Sequence, residues 1–336
     1  MEFTSETLDE RMSQPAQADI DFMRRLPGDV LILGAGGKMG PSLAQLARRA
    51  SDAAGTARRV IAVSRSQSKE TDRLFARWHI DSVACDLLDR DQLSRLPECP
   101  NVVFLAGRKF GSAENQPLTW ATNVLLPALA AERYARSRIV ALSSGNVYPL
   151  AAGPVDERTQ PAPVGEYAQS VLGRERMFQF YSAKNGTSVT LVRLNYAIDT
   201  RYGVLLDIGQ RVWEGRPVNL AMGRVNVIWQ GDANSMCLRA LELASSPPFP
   251  LNLTGPDVLR VGWIAERFGQ ALGREPVVEG VEAETALLSD ASLACRLLGP
   301  PRVGPKEMIE IIARWIRAGQ PTFNKPTHFE VRDGRF

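Results

Sequence analysis

The run VLILGAGGKMG sets Gly34, Gly37 and Gly40 at three-residue intervals directly behind four apolar residues. A helix-like GPSLAQLARRA comes next, and RRVIAVSRS then supplies a second apolar run. Strand, glycine turn, helix and strand in that order make a βαβ unit whose turn faces a ligand. Gly34 permits the tight turn, Gly37 removes a Cβ so that backbone can approach a pyrophosphate, and Gly40 lets the helix pack on the strand. Phosphates then rest on free N–H groups at the helix N-terminus. Lys38 and Met39 lie in the same turn and are assigned with it to the cofactor. A nicotinamide dinucleotide is the expected ligand.

The second strand ends at Ser64, Arg65 and Ser66, where an NAD site carries a carboxylate for the ribose hydroxyls. Arg65 suits a ribose phosphate and an adenine face instead, so NADP is expected. NAD is the alternative, with Arg65 then a solvated loop residue.

Further apolar runs at SVACDL, NVVFLAG, RIVALSS and SVTLVRLN read as buried parallel strands, because they are nearly continuous rather than alternating. The fold class is therefore α/β: a Rossmann-type doubly wound parallel sheet with a smaller C-terminal substrate lobe. Residues 1–27 are read as a lead-in that frays or reaches over a partner subunit. Residues 28–195 form the dinucleotide domain, with a return to the sheet and its helix at about 222–254 beginning from VNVIW. Residues 196–221 and 255–325 form the substrate lobe, carrying the helical periods VGWIAERFGQALG and PKEMIEIIARWIRAG, and 326–336 a tail.

With 40 basic against 37 acidic residues along the chain, no basic stripe follows a phosphate backbone, and nucleic acid is not an expected partner. Four scattered cysteines without a CxxC pair fit a reducing compartment, and two histidines make a metal site unexpected. The opening MEFTSETLDERMSQPAQADIDF is acidic and polar, unlike an export signal, and no apolar run is long enough to cross a bilayer. A cytoplasmic protein with a small-molecule substrate and no membrane partner is expected.

The glycine motif, together with the downstream runs NVVFLAG, SSGNVY and LVRLN, resembles the extended short-chain dehydrogenase/reductase family, the nucleotide-sugar epimerase and dehydratase group. The likeness extends from about Asp29 to Gly319. That resemblance implies that Asp86 and Leu87 border the adenine, and that the turn Leu105, Ala106, Gly107 passes beside the cofactor. It implies that Asn123 stabilises the central helix at the cofactor, and that SSGNVY carries the catalytic Ser144 with Asn146 and Tyr148 close by. LVRLN is similar to the strand that brings Arg193 and Asn195 to the substrate, and Arg201 lies a few residues on in a segment placed around the same pocket. Arg108 and Lys109, just after the cofactor-side turn, are assigned to the nicotinamide or an anionic substrate. Family members dimerise by packing two helices from each subunit. Here a homodimer through Val124, Leu125, Leu129 and Val171, Leu172, Phe178 is implied, although the same faces suit covering the sheet.

One departure outweighs the matches. The family's active-site tyrosine lies in YxxxK, and the matching stretch here runs from Tyr167 to Val171. Positions i and i+4 share a helix face, so the usual lysine lies beside the phenol and lowers its pKa. A free tyrosine is only about one part in a thousand ionised at pH 7, and bringing its pKa to neutrality is worth about 4 kcal/mol. Arg174, two turns on, is read as chiefly meeting solvent. Two functions are compatible with these residues: an NAD(P)-dependent oxidoreductase or epimerase/dehydratase on a sugar or sugar-acid-like polyol, with Ser144 and Tyr167 at the reacting centre; or a cofactor-bound sensor without standard redox turnover.

Overall fold

In a computed structural model, which describes residues 4–65 and 69–334, the apolar runs assemble into one seven-stranded parallel sheet. Ser66 lies outside the described residues. The strands are β1 (Val30–Leu33), β2 (Val60–Ser64), β3 (Asp81–Ala84), β4 (Asn101–Phe104), β5 (Arg138–Ser144), β6 (Val189–Leu194) and the return strand Phe249–Leu253. Their order across the sheet is β3, β2, β1, β4, β5, β6 and the return strand. The chain thus winds outward from β1 to one edge, crosses back to lay β4 beside β1, and winds to the other edge. This reversal opens a crevice beyond the carboxyl ends of β1 and β4, where Leu33 pairs level with both Val63 and Phe104.

β1, β2 and β4 are buried throughout, which explains their continuous apolar sequences. β3 differs from the expectation. It is the sheet edge, and only Val83 of its four residues is even partly covered. The apolar reading of SVACDL came from Val83, Cys85 and Leu87, of which the last two lie beyond the strand and pack into the core.

Residues 5–25 correct the reading of a frayed lead-in. They form two helices, α1 (Ser5–Met12) and α2 (Gln17–Arg25), whose Leu8, Met12, Phe22 and Met23 are buried. α1 contributes to the core of the C-terminal lobe and α2 to that of the sheet, so the segment ties the two together. Polar anchors fix it: Arg58 donates to the carbonyls of Met23, Leu26 and Gly28, and buried Asp19 accepts from Ser235 and Arg239. The acidic, polar composition of this stretch hid the apolar stripe.

The segment VNVIW also departs from its reading. Ile228–Trp229 pairs with Ala197–Ile198 in a separate two-stranded ladder, and the chain regains the main sheet only at Phe249–Leu253. The C-terminal lobe packs helices Val204–Trp213, Val261–Leu272 and Pro305–Arg317 around Phe268, Ile312 and Trp315. Gly209 allows their close approach, since a Cβ there would lie 2.8 Å from Ile316 and 2.9 Å from Phe268. The tail beyond 326 is packed as well: Thr327 and Phe329 are buried, and Thr327 donates twice to Asp207. Among the described residues, no helix is long and apolar enough to cross a membrane.

Candidate active site

The crevice over β1 and β4 divides into two connected spaces. The first, about 450 Å³, is a groove lined by Gly34, Gly37, Ser64, Arg65, Asp86 and Leu87, with Leu105, Ala106 and Gly107 as its floor. Its glycines do three different jobs. Gly34 has φ +89° and backs onto the next strand, so that a Cβ would lie 2.6 Å from the Ala106 nitrogen. At Gly40 a Cβ would collide with the Ala35 carbonyl, which fixes the start of helix α3 (Gly40–Ala53) tightly on the turn. Gly37 instead faces open space, meeting only the Gly34 oxygen at 3.3 Å. A bare backbone next to a helix N-terminus, in a groove whose buried Ser64 Oγ has no partner among the described residues, fits a dinucleotide pyrophosphate and ribose.

The second space, about 240 Å³, adjoins the groove at Leu105, Gly107, Arg108 and Lys109. Ser144, at the end of β5, and Tyr167, in the first turn of helix Gly165–Asn185, meet on its wall. Asn146 and Asn195 line it too. Burial pushes the Tyr167 phenol above its ordinary pKa, while the Arg174 charge and a hydrogen bond with Ser144 pull it down.

Arg174 is where the structure most changes the sequence reading. Its side chain is only 5% exposed and lines the same cavity as Tyr167. It lies seven residues on, nearly two full turns, and helical side chains lean toward the N-terminus, so the guanidinium reaches back toward the tyrosine. Nη1 donates to the Leu142 carbonyl at 2.6 Å and Nη2 to Asn123 Oδ1 at 2.8 Å, while the buried Nε has no partner among the described residues. Gly107 makes room for this group, since a Cβ there would strike Nη2. Val171, at the usual lysine position, is fully buried and packs with Val147 and Tyr148. A signal for Arg174 existed in its i+7 spacing, but the buried acceptors that hold it come from remote segments.

Asn123 holds this arrangement from behind. It is fully buried in a π-helical turn, Ala121–Leu125, accepts from Arg174 and the Arg108 amide, and donates to the Arg108 carbonyl and to Ser170 Oγ. The assignment of Asn123 to the cofactor changes: it lines neither space, and fixes Arg108 and Arg174, which do.

Three substrate assignments also change. Arg193 is buried in a bidentate ion pair with Glu175, at 2.8 and 3.0 Å, and donates to the Tyr148 hydroxyl at 2.6 Å. Tyr148 in turn donates to Asn252, and neither side chain lines the reacting cavity. Both are core ties beneath the site. Arg201 pairs with Asp199 and Asp9 and faces a different cavity at the lobe surface. Residues two apart on a strand share a face, so the sequence gives no sign that Arg193 meets Glu175 while Asn195, just past the end of β6, reaches the cavity.

Lys38 is reassigned in the opposite direction. It leaves the glycine turn away from the dinucleotide groove, lines the reacting cavity, donates to the Ala197 carbonyl at 3.1 Å and sits 3.8 Å from the Tyr202 ring centroid. Met39 lines the same wall. Desolvation, with Lys109 and Arg201 adding like charge, holds Lys38 down to about 7 against the pull of Asp199 and Asp207. Lys109, 5.9 Å from the Tyr167 ring centroid, is lowered by desolvation to about 8.

A seven-stranded parallel sheet with a glycine turn after its first strand, joined to a serine and tyrosine pair on one cavity wall, defines a Rossmann-type α/β architecture. Residues 30–198 match the NAD dependent epimerase/dehydratase family, and the chain belongs to that family. No curated protein sequence matches the chain. Solved structures of similar fold include the UDP-glucuronic acid 4-epimerase of Bacillus cereus in complex with UDP-glucuronic acid and NAD. It is 17% identical, with a TM-score of 0.72 over 86% of this chain and 99% of that one. The UDP-glucose 4-epimerase of Thermotoga maritima with UDP-glucose is 18% identical, with a TM-score of 0.70 over 87% and 99%. The Thermus thermophilus UDP-glucose 4-epimerase complex with NAD is 19% identical, with a TM-score of 0.70 over 86% and 99%.

Proposed function

We propose that the protein is an NAD(P)-dependent epimerase or dehydratase acting on a sugar or sugar-acid polyol, most simply carried as a nucleotide sugar. The observation that carries this reading is the buried Arg174 guanidinium on the same cavity wall as Tyr167, with Ser144 bonded to the phenol. A bound dinucleotide supplies the acceptor and donor of hydride. The protein's own part is proton handling: Ser144 and Tyr167 hold the reacting oxygen, and Tyr167 takes up or returns its proton. Arg174 favours the phenolate by its charge, the service that a lysine at position 171 performs in YxxxK. The alternative of a redox-silent sensor is motivated by Val171, and the Arg174 charge acting on the phenol weighs against it.

The finer assignments belong to the same proposal. Arg65 is exposed at the groove and no acidic residue ends β2, which supports the phosphorylated dinucleotide, with NAD as the alternative. Trp120, Leu125 and Phe180 are exposed on adjacent helical segments and support a homodimer through that face. Leu129, Val171 and Phe178, which the dimer reading also used, are buried within the subunit.

The test is mass spectrometry of the gently denatured protein for retained NADP or NAD, and then mixing of the loaded protein with UDP-glucose and UDP-glucuronate. Interconversion of the sugar or transient nicotinamide reduction is expected, and Tyr167→Phe should slow it at least about a hundredfold, the lower range of general acid–base contributions. Dinucleotide binding with no sugar chemistry from any nucleotide sugar or sugar acid, across pH 6 to 10, would contradict the reading.

A further inference from the structure

The reacting cavity contains a cation that the protein itself leaves unanswered. Lys38 has one carbonyl and one ring face as its contacts, and no described carboxylate comes within ion-pair reach of it. The nearest acids that act on it are already engaged, Asp199 with Arg201 and Asp207 with Thr327. A second ammonium, Lys109, lines the same cavity and adds like charge to Lys38. Desolvation presses both groups toward their neutral forms, with the Lys109 charge adding to it at Lys38, and a ligand of opposite charge is what would hold both protonated.

The choice of anion depends on where the lysines sit. Lys38 lines the reacting cavity and not the dinucleotide groove, so its counter-ion comes from the substrate side. Lys109 lies 5.9 Å from the Tyr167 ring centroid, so an anion in hydrogen-bond range of it is only a few bonds from the oxygen that Tyr167 handles. The arginine forks near the cavity are engaged at their ends, Arg174 Nη1 and Nη2 with Leu142 and Asn123 and Arg108 Nη2 with Gly111, and Arg201 pairs with Asp199 and Asp9. Two compact ammonium groups suit a single carboxylate.

We propose that Lys38 and Lys109 form an anion subsite beside the reacting centre, and that the substrate carries a carboxylate on a carbon next to, or one removed from, the carbon that reacts. This rests on the epimerase/dehydratase reading and narrows its substrate to sugar acids.

The experiment is calorimetric titration of the dinucleotide-loaded protein with UDP-glucuronate and UDP-glucose, and separately with D-glucuronate and D-glucose. The acid should bind at least about tenfold tighter than its neutral partner, since a charge-assisted hydrogen bond contributes about 1.5–3 kcal/mol. Lys38→Met should bring the ratio of UDP-glucuronate to UDP-glucose affinity close to one, and Lys38→Arg should keep it. Equal binding of UDP-glucuronate and UDP-glucose overturns the subsite and leaves the enzyme reading standing, as does an acid preference that survives in Lys38→Met. If neither UDP compound binds but D-glucuronate does so through Lys38, the subsite holds and the nucleotide-sugar form of the reading fails.

Discussion

The two halves of the crevice are built from different materials. On the dinucleotide side the surface is backbone: glycines whose missing Cβ atoms create the turn, the close packing and the open cradle. On the reacting side it is side chains held by one another: Ser144 against Tyr167, Arg174 against Asn123 and Leu142, Lys38 against Ala197 and Tyr202. A site made of backbone is written locally, because three residues of spacing define it. One made of networks is written across the chain, where residues 38, 123, 174 and 197 come together only through the sheet.

The comparison can be tested first where it separates structure from chemistry. Arg193, read from sequence as a substrate ligand, is a buried partner of Glu175, whose charge would be left without its ion pair in Arg193→Met. That variant should lose about 3–5 kcal/mol of stability, measured by denaturant unfolding. Its folded fraction should bind dinucleotide normally. A stable Arg193→Met with weakened substrate binding would return Arg193 to the site and blur the division drawn above.

A smaller effect sharpens the other half. Gly37 does not need a positive φ and meets only one atom within 3.4 Å, so Gly37→Val should fold with its melting temperature nearly unchanged. The added side chain would fill the cradle, and dinucleotide affinity should fall about a hundredfold, or about 2.7 kcal/mol. Retained affinity in a titration would place the pyrophosphate elsewhere. Gly34→Ala is a poor substitute for this test, because its strained φ and the contact with Ala106 would confuse folding with binding.

The sequence revealed the sheet because buried parallel strands announce themselves as continuous β-branched runs, and it revealed the groove because Gly34, Gly37 and Gly40 stand in one turn. The motifs around Ser144 and Tyr167 pointed to two residues that meet on one cavity wall. The N-terminal helices were missed because Leu8, Met12, Phe22 and Met23 are spread through a polar, acidic segment. Arg193 and Arg201 were misplaced because an arginine in a pocket-forming segment looks the same whether it faces a ligand, Glu175 or Asp199. Arg174 was discounted since its burial depends on acceptors at Leu142 and Asn123 that no local pattern discloses. Even Val171 reads differently in place: Val171→Lys would push an ammonium into packing with Val147 and Tyr148, and so is no clean repair of the motif.

The claim on which the account turns is that the Arg174 charge performs the missing lysine's service for Tyr167. It is tested most directly by the pH dependence of sugar turnover in wild type, Arg174→Gln and Arg174→Lys. Burial already raises the phenol and the guanidinium opposes that rise, so removing the charge must raise the pKa further. The account predicts that in Arg174→Gln the limb on which rate rises with pH moves up by at least about one unit, with the neutral rate reduced about tenfold or more. Arg174→Lys should restore part of both. An unshifted profile in Arg174→Gln, with the rate lowered equally at every pH, would contradict it.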